Sequence, residues 1–296
     1  MRWQDVGEKG GGAGIAFLVA TATTLGRPVA RLFLPFVAAW FLVFQRGIRR
    51  ASLDYLARVL PGPVGPRDAF RHILTFARVA LDRLFFARGD FAPFRLSATG
   101  EEHILSAARS GRGAILLLAH VGSYEAMRGY STLQEVRVSA IGDFRNSRVF
   151  AEALRRINPR VDADLIQVED SPTFLFQVEQ RVSSGGIVAI MGDRVGSDAR
   201  AVEVSFLGGT ASFPSGPYLL AAILGCPIYL AFAIYREPNH YDISCELFTE
   251  RVELPRGDRS GSLARYVQEY ASRLEQRCRR APFNWFNFYD FWSAAP

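Results

Sequence analysis

The spacing of apolar positions changes along the chain, and these changes predict the secondary structure. Between residues 67 and 88, apolar side chains recur every three or four positions, which predicts an amphipathic helix. Residues 114–119 are all apolar and follow a glycine, which indicates a short strand buried on both faces. Strand and helix patterns then alternate as far as residue 190. This alternation predicts a largely parallel sheet with helices packed against it.

The remaining pattern places the other elements. Further helices are predicted over residues 123–132, 147–157, 171–182 and 262–279, and strands over residues 136–141, around 165 and over 186–190. Residues 227–235 and 241–248 flank a turn and predict an antiparallel hairpin. The predicted fold class is α/β: a mostly parallel central sheet flanked by helices, preceded by a helical extension that associates with membranes.

Two apolar runs near the N-terminus suggest that extension, over residues 14–22 and 32–44. Arginines flank the second run, which at about 13 residues is shorter than the roughly 20 needed to cross a bilayer. We therefore expect a helix lying at the membrane surface, the alternative being a buried helix of the catalytic fold. The proline- and glycine-rich residues 61–66 break the chain, so we divide it into a membrane-associating segment, 1–60, and an α/β domain, 61–296.

A histidine and a glutamate at the end of the first buried strand are the leading catalytic candidates. His120 follows the strand, where open α/β sheets place their ligands, and Glu125 lies five positions on. Gly122 supplies a turn and Ser123 an N-cap, so Glu125 falls in the first turn of a helix. There a carboxylate bonded to His120 would orient the imidazole as a general base. The alternative is a structural histidine beside a solvated acid.

Three further residues at the same sheet edge are candidates for substrate binding. Asp193 and Arg194 follow the strand that ends at residue 190, and Arg145 follows another strand. An arginine in this place can form a forked contact with a phosphate or a carboxylate. The alternative is an ordinary ion pair between Asp193 and a nearby arginine.

Composition narrows the classes of partner. The formal charge is +6, which favours acidic partners such as phosphates, an anionic membrane or an acidic carrier protein. The chain shows neither zinc-finger spacing nor an RNP-like segment, so we expect no nucleic-acid binding. The three cysteines form no CxxC pair and the four histidines are scattered, so we expect no metal site.

Several segments together resemble a known family. Four segments carry a resemblance to the lysophospholipid acyltransferase superfamily. They are the strand with His-Val-Gly-Ser-Tyr-Glu, the stretch around Asp193 and Arg194, residues 204–217 and the tail from residue 281 to 289. The spacing of His120 and Glu125, with four residues between them, resembles that of the branch of late acyltransferases of lipid A biosynthesis. The aromatic tail is similar to the subgroup that accompanies aryl polyene and related pigment-lipid pathways.

The resemblance implies an activity. It implies acyl transfer from an acyl carrier protein or coenzyme A thioester to a hydroxyl or amine of a lipid, with His120 and Glu125 catalytic and no resident cofactor. The resemblance also implies that Asp193 and Arg194 belong to the site. It further implies that the protein lies at the cytoplasmic face of a bacterial inner membrane. Two alternatives stay open: a thioesterase or lipid hydrolase using the same pair of residues, and a non-enzymatic lipid carrier or scaffold.

Overall fold

The computed structural model describes residues 12–142, 165–167, 172–196 and 200–292. Four helices open this part of the chain: α1 (Gly12–Thr24), α2 (Gly26–Phe44), α3 (Arg46–Val59) and α4 (Pro66–Ala87). The next elements are β1 (Arg95–Thr99), α5 (Glu101–Ser110), β2 (Ala114–Leu118), α6 (Tyr124–Leu133), β3 (Val138–Gly142) and β4 (Leu165–Gln167). Then follow α7 (Pro172–Ser183), β5 (Ile187–Met191), β6 (Ala201–Phe206), β7 (Gly209–Pro214), α8 (Gly216–Leu224), β8 (Ile228–Arg236), β9 (His240–Thr249) and α9 (Arg259–Arg280).

The central sheet has seven strands in the order β1-β9-β8-β2-β5-β3-β4. All neighbouring strands run parallel except β8 and β9, which form the predicted antiparallel hairpin. Strands β6 and β7 form a separate antiparallel pair. The predicted α/β class, with a mostly parallel sheet flanked by helices, is confirmed. The predicted helix over residues 147–157 lies outside the described residues.

Helix boundaries follow local chemistry. Helix α4 begins where Pro66 occupies the first turn and the Asp68 carboxylate accepts a hydrogen bond from the Gly65 amide at 2.9 Å. Helix α6 begins after Ser123, whose hydroxyl oxygen accepts from the Ala126 amide at 3.1 Å. The break at residues 61–66 therefore separates α3 from α4, as its prolines and glycines predict.

Helix α2 turns one stripe of side chains toward the fold and exposes large apolar side chains on the other side. Its buried positions are Arg27, Ala30, Leu34 and Ala38, and the last three belong to a hydrophobic cluster with residues of α1 and α4. The opposite face exposes Leu32, Phe36, Val43 and Phe44 among others. At 19 residues, α2 is longer than the apolar run suggested, and its length and composition alone would allow it to cross a membrane. The division of the chain at residue 60 stays a prediction.

A buried ion pair connects α2 to α4 and to the central sheet. The Arg27 guanidinium donates to both oxygens of Asp82 on α4, at 2.7 and 2.9 Å, and also to the Pro238 carbonyl in the β8–β9 turn. The Tyr241 hydroxyl of β9 donates to the same Asp82 carboxylate at 2.7 Å. Asp82 is fully buried, and Arg27 is nearly so. This charge network makes α2 a structural part of the fold.

We expect Asp82→Ala to lower the free energy of unfolding by about 3–5 kcal/mol, because it leaves the Arg27 cation buried without a counter-ion. Chemical denaturation measures this difference. The matched control is Glu250→Ala, which breaks the exposed pair between Arg112 and Glu250 and should cost under about 1 kcal/mol. Equal losses in the two variants would show that the buried network does not brace α2.

Candidate active site

Strand register brings His120 and Asp193 together. In the parallel pairing of β2 with β5, Leu118 lies opposite Met191, so both strands end at the same level. His120 and Asp193 each follow two residues later, at the carboxyl edge of the sheet. The Gly192 amide between them donates to the Leu118 carbonyl at 2.8 Å, which continues the contact beyond the strands. Two residues 73 positions apart in sequence thereby meet at one edge.

The turn after His120 needs glycine at residue 122. Gly122 has a φ of +66°, and a Cβ atom there would lie 1.7 Å from the carbonyl oxygen of Ala233 on β8. The Gly122 amide donates to the Asn284 carbonyl at 2.8 Å, and the Ser123 amide donates to the Ala233 carbonyl at 2.9 Å. A substitution at this position would push the turn away from β8 and displace His120 with it.

The imidazole of His120 is held by Asp193. Nδ1 of His120 lies 2.7 Å from Oδ1 of Asp193, and the His120 backbone amide donates to Oδ2 at 3.0 Å. Because an ionised carboxylate only accepts, Nδ1 carries the proton and Nε2 is left as a basic lone pair. Among the described residues, none forms a hydrogen bond with Nε2, and the His120 side chain is 27% exposed. The arrangement is that of a general base with an orienting acid.

Asp193 is a fully buried carboxylate with four hydrogen-bond donors. Besides the two from His120, Oδ2 accepts from the indole Nε1 of Trp285 at 2.9 Å and from the amide Nδ2 of Asn287 at 3.1 Å. Burying a carboxylate is costly unless such donors replace the lost water. The donors keep Asp193 ionised and fix the direction of its oxygens.

Residues 284–287, which we call the tail strap, bring two of those donors to the site. The strap runs antiparallel to the turn after His120: Val121 bridges to Trp285, and the Phe286 amide donates to the His120 carbonyl at 2.8 Å. The Asn284 side chain accepts from the Tyr235 amide and donates to the Tyr235 carbonyl. The strap is therefore bonded to the loop after β2 and to β8, and it contacts both His120 and Asp193.

Arg194 anchors the strap. Its Nε donates to Oδ1 of Asn287 at 2.7 Å, and its NH2 group donates to the Phe286 carbonyl at 3.0 Å. Asn287 thus connects Arg194 to Asp193 through the two ends of its amide. The predicted role of Arg194 in binding substrate stays a prediction. Arg145, the other predicted basic residue, lies outside the described residues.

Glu125 does not make the contact with His120 that the sequence pattern predicts. It lies in the first turn of α6 as expected, but its Oε1 accepts from Nε of Arg83 on α4 at 2.5 Å, and Ser123 donates to its Oε2 at 3.5 Å. The acid bonded to Nδ1 is Asp193, which the sequence analysis assigned to substrate binding. The prediction of the Glu125–His120 hydrogen bond was wrong, because spacing within one segment does not reveal an acid from a neighbouring strand.

Burial and charge set the protonation of the pair. Burial and the nearby Arg194 cation lower the pKa of His120, while Asp193 opposes them by raising it. Burial alone would raise the pKa of Asp193, but the hydrogen bonds and charges of His120 and Arg194 outweigh it and hold the pKa at about 2. At neutral pH the site therefore holds a neutral imidazole beside an ionised carboxylate, the state that a general base requires.

The sequence analysis missed several residues that shape the site. Trp285 and Asn287 hold Asp193, Asn284 fixes the strap, and Arg83 pairs with Glu125. The tail was noticed as an aromatic segment, but its two asparagines, flanking a tryptophan, were the better signal because buried amides need specific partners. In the described ranges, no group of three or more histidine, cysteine, aspartate or glutamate side chains is close enough to hold a metal ion.

The fold and this geometry define an α/β protein with a carboxylate-bound histidine at the carboxyl edge of a mostly parallel sheet, whose Nε2 lone pair can accept a proton. The comparison with protein families then names the class. The chain belongs to the family described as bacterial lipid A biosynthesis acyltransferase, whose model matches residues 11–293. This membership supports an acyltransferase that acts on a lipid. No curated protein matches the chain.

We expect the His120 imidazole to titrate below the ordinary histidine pKa of about 6.5, because burial and Arg194 disfavour its charged form. NMR titration of the ring carbons measures this midpoint. Asp193→Asn should lower the midpoint further, since the variant removes the anion that raises the pKa. Glu125→Gln is the matched control and should leave it nearly unchanged. The reverse pattern would assign the orienting acid to Glu125.

Proposed function

We propose that the protein is a membrane-associated acyltransferase that moves a fatty acyl group, or a polyene acyl group, from an acyl thioester to a hydroxyl or amine of a lipid acceptor. The observation that carries this proposal is the His120 imidazole, with Nδ1 bound by a buried carboxylate and Nε2 without a hydrogen-bond partner in the part of the chain that the structure describes. Family membership supplies the reaction class. The geometry supplies the group that moves the proton.

The reaction follows from the position of Nε2. His120 takes the proton of the acceptor hydroxyl as its oxygen attacks the thioester carbonyl carbon. The resulting tetrahedral intermediate collapses, the carbon–sulfur bond breaks, and the imidazolium returns the proton to the departing thiolate. Asp193 stabilises the transient imidazolium through Nδ1 and holds the ring in one tautomer. No covalent acyl-enzyme is needed, and Ser123 caps α6 with its hydroxyl oxygen.

We propose that Asp193 orients the His120 imidazole, whereas Glu125 holds the start of α6 against α4. The Glu125–Arg83 ion pair connects the start of α6, next to the His120 turn, with α4. Glu125 therefore fixes the position of α6 relative to α4. This assignment replaces the His-x4-Glu pair with a base and an acid from two adjacent strands. In this assignment Asp193 binds His120, and Arg194 binds the strap. Arg145 stays a candidate for contact with the substrate.

The donor is proposed to be an acyl carrier protein or coenzyme A thioester, which enters as a co-substrate and not as a resident cofactor. The net charge of +6 favours either one, since both carry acidic or phosphate groups. Family resemblance favours the carrier protein. The acceptor is a lipid, and nothing in the proposal requires nucleic acid or a metal ion.

Apolar side chains beside the strap suit an alkyl chain. Phe76 on α4 is 41% exposed and lies 5.3 Å from Phe286 and 5.4 Å from Phe288, ring centre to ring centre. Phe286 belongs to the strap, whose amide is bonded to His120. Trp285 is wholly buried, so it does not line this surface. Phe76 and Phe288 are therefore the proposed start of the acyl path.

The apolar face of α2 is the proposed membrane contact. Phe36 is 74% exposed and Phe44 66% exposed, and Arg46, Arg49 and Arg50 follow directly. The opposite face of α2 packs with α4, and Arg27 is locked to Asp82. A helix held along one side in this way is placed to lie in the membrane surface, with its arginines at anionic headgroups. We propose the cytoplasmic face of a bacterial inner membrane as its location, which the family resemblance implies.

We expect His120→Ala and Asp193→Asn to lower kcat for acyl transfer on the order of 10²-fold or more, the range that a positioned general base supplies. Glu125→Gln should lose less than Asp193→Asn, because Glu125 does not contact the imidazole. The assay uses purified enzyme, a carrier-protein or coenzyme A thioester, and lipid extract as acceptor, and it follows the loss of thioester together with the acylated lipid. Circular dichroism and melting curves confirm that the variants fold.

Four outcomes would overturn parts of the proposal. A folded His120→Ala protein with wild-type transfer would rule out His120 as the base, and lipid changes that persist in cells with this variant would indicate a carrier or scaffold. Free fatty acid released at the same rate with and without acceptor would indicate a hydrolase. A Glu125→Gln protein as inactive as His120→Ala, with Asp193→Asn unaffected, would return the orienting role to Glu125. Mass spectrometry of lipids from cells with and without the gene identifies the acceptor and the acyl group.

We expect Phe36→Asp to weaken binding to vesicles of phosphatidylethanolamine and phosphatidylglycerol, because a charge there opposes insertion of the apolar face. Co-sedimentation measures the bound fraction. The matched control is Ile223→Asp on α8, since Ile223 is 73% exposed and Phe36 is 74% exposed. If the two variants sediment alike, α2 is not the membrane contact.

A further inference from the structure

A second histidine, His72, lies on α4 behind the strap. It is fully buried. Its Nε2 lies 2.8 Å from the carbonyl oxygen of Trp285, and its Nδ1 lies 2.9 Å from the hydroxyl oxygen of Ser52 on α3. The proposed reaction makes no use of this residue.

The two contacts fix the tautomer of His72. A carbonyl oxygen only accepts, so Nε2 carries the proton and donates it to Trp285. Nδ1 then carries a lone pair and accepts a hydrogen bond from the Ser52 hydroxyl. Burial lowers the pKa of His72 to about 4, so the ring stays neutral at neutral pH and keeps this one arrangement. Each ring nitrogen of His72 therefore has one hydrogen-bond partner, and only one orientation of the ring allows both bonds.

Trp285 is held at two points, by His72 through its backbone carbonyl and by Asp193 through its indole. Its carbonyl accepts from His72, and its indole Nε1 donates to Asp193. Around the ring pack Tyr55 of α3 at 4.9 Å and Phe291 at 4.8 Å, centre to centre. Rotation of the strap at residue 285 would therefore break the bond to His72 and move the indole donor away from Asp193.

We infer that His72 is a positioning residue: through Trp285 it fixes the direction of Asp193, and so the orientation of His120. The buried chain runs from Ser52 to His72, Trp285, Asp193 and His120, with every link between 2.7 and 2.9 Å. It connects helices α3 and α4 to the catalytic base. This inference rests on the proposed function for its catalytic consequence, but the geometry it predicts is measurable without activity.

The face of α4 that carries His72 supports this role. Residues 72, 76 and 83 lie on one side of the helix, since four and seven positions correspond to about one and two turns. His72 holds the strap, Phe76 packs against Phe286, and Arg83 pairs with Glu125. The same helix face therefore contacts the strap behind the acid and the start of α6 beside the base.

The test compares His72→Phe with His72→Gln. Phenylalanine keeps the ring but has neither donor nor acceptor, whereas glutamine retains an amide donor toward the Trp285 carbonyl. We expect His72→Phe to shift the NMR resonances of the Trp285 indole proton and the His120 Nδ1 proton, and to lower kcat on the order of tenfold with KM little changed. His72→Gln should restore part of both. Tyr241→Phe is the control: it removes a buried hydrogen bond to Asp82 on α4 that is not a link between His72 and His120, and it should leave both resonances nearly unchanged.

A double-mutant cycle with Trp285→Phe separates positioning from general packing. Trp285→Phe removes the donor to Asp193, so adding His72→Phe should cost little more if both act through one chain. Fully additive losses, or unchanged His120 and Trp285 resonances in a folded His72→Phe protein, would overturn the inference. Should His72→Phe fail to fold, Ser52→Ala decides: a smaller shift of the same resonances supports the chain, and none refutes it. If His120→Ala retains transfer while the resonances move as expected, the proposed function fails and the positioning chain stands.

Discussion

The structure depends on one buried negative charge. Asp193 has no contact with solvent, and its ionised form persists only because four donors surround it. Two of these come from the residue it serves and two from the tail strap. Any sequence that keeps Asp193 must therefore also keep the strap in place, which explains why the C-terminal tail folds back over the sheet edge to form part of the site.

The same constraint reaches the N-terminal helices. The strap is held by His72 on α4 and, through the chain that continues to Ser52, by α3. Helix α2 is bound in turn to α4 and to the β8–β9 turn by the Arg27–Asp82 network. The helices proposed to contact the membrane are thus continuous with the catalytic layer. The proposed membrane surface and the proposed base are therefore built on one packed unit, an arrangement that would suit a substrate that stays in the bilayer.

Most of the fold was predictable because its signals are local. The apolar run before His120, the helical spacing of residues 67–88 and the Ser123 cap each identify an element, and the structure places them within a few residues of the prediction. The length of α2 was underestimated, since Gly26 to Arg31 carry too few apolar residues to extend the run. His120 was found for the same local reason: it ends a buried strand, and the strand end is readable from the chain.

The sequence by itself determined the α/β class, the position of His120 at a strand end and the turn that follows it, because each depends on residues within about one helix or strand length. Only the tertiary structure decided which acid holds the imidazole. Glu125 is five residues from His120 and Asp193 is 73 away, yet the register of β2 on β5 brings the second into contact and α4 draws the first toward Arg83. Hydrogen-bond partners at a sheet edge are set by strand order and register, and these are properties of the packed chain as a whole.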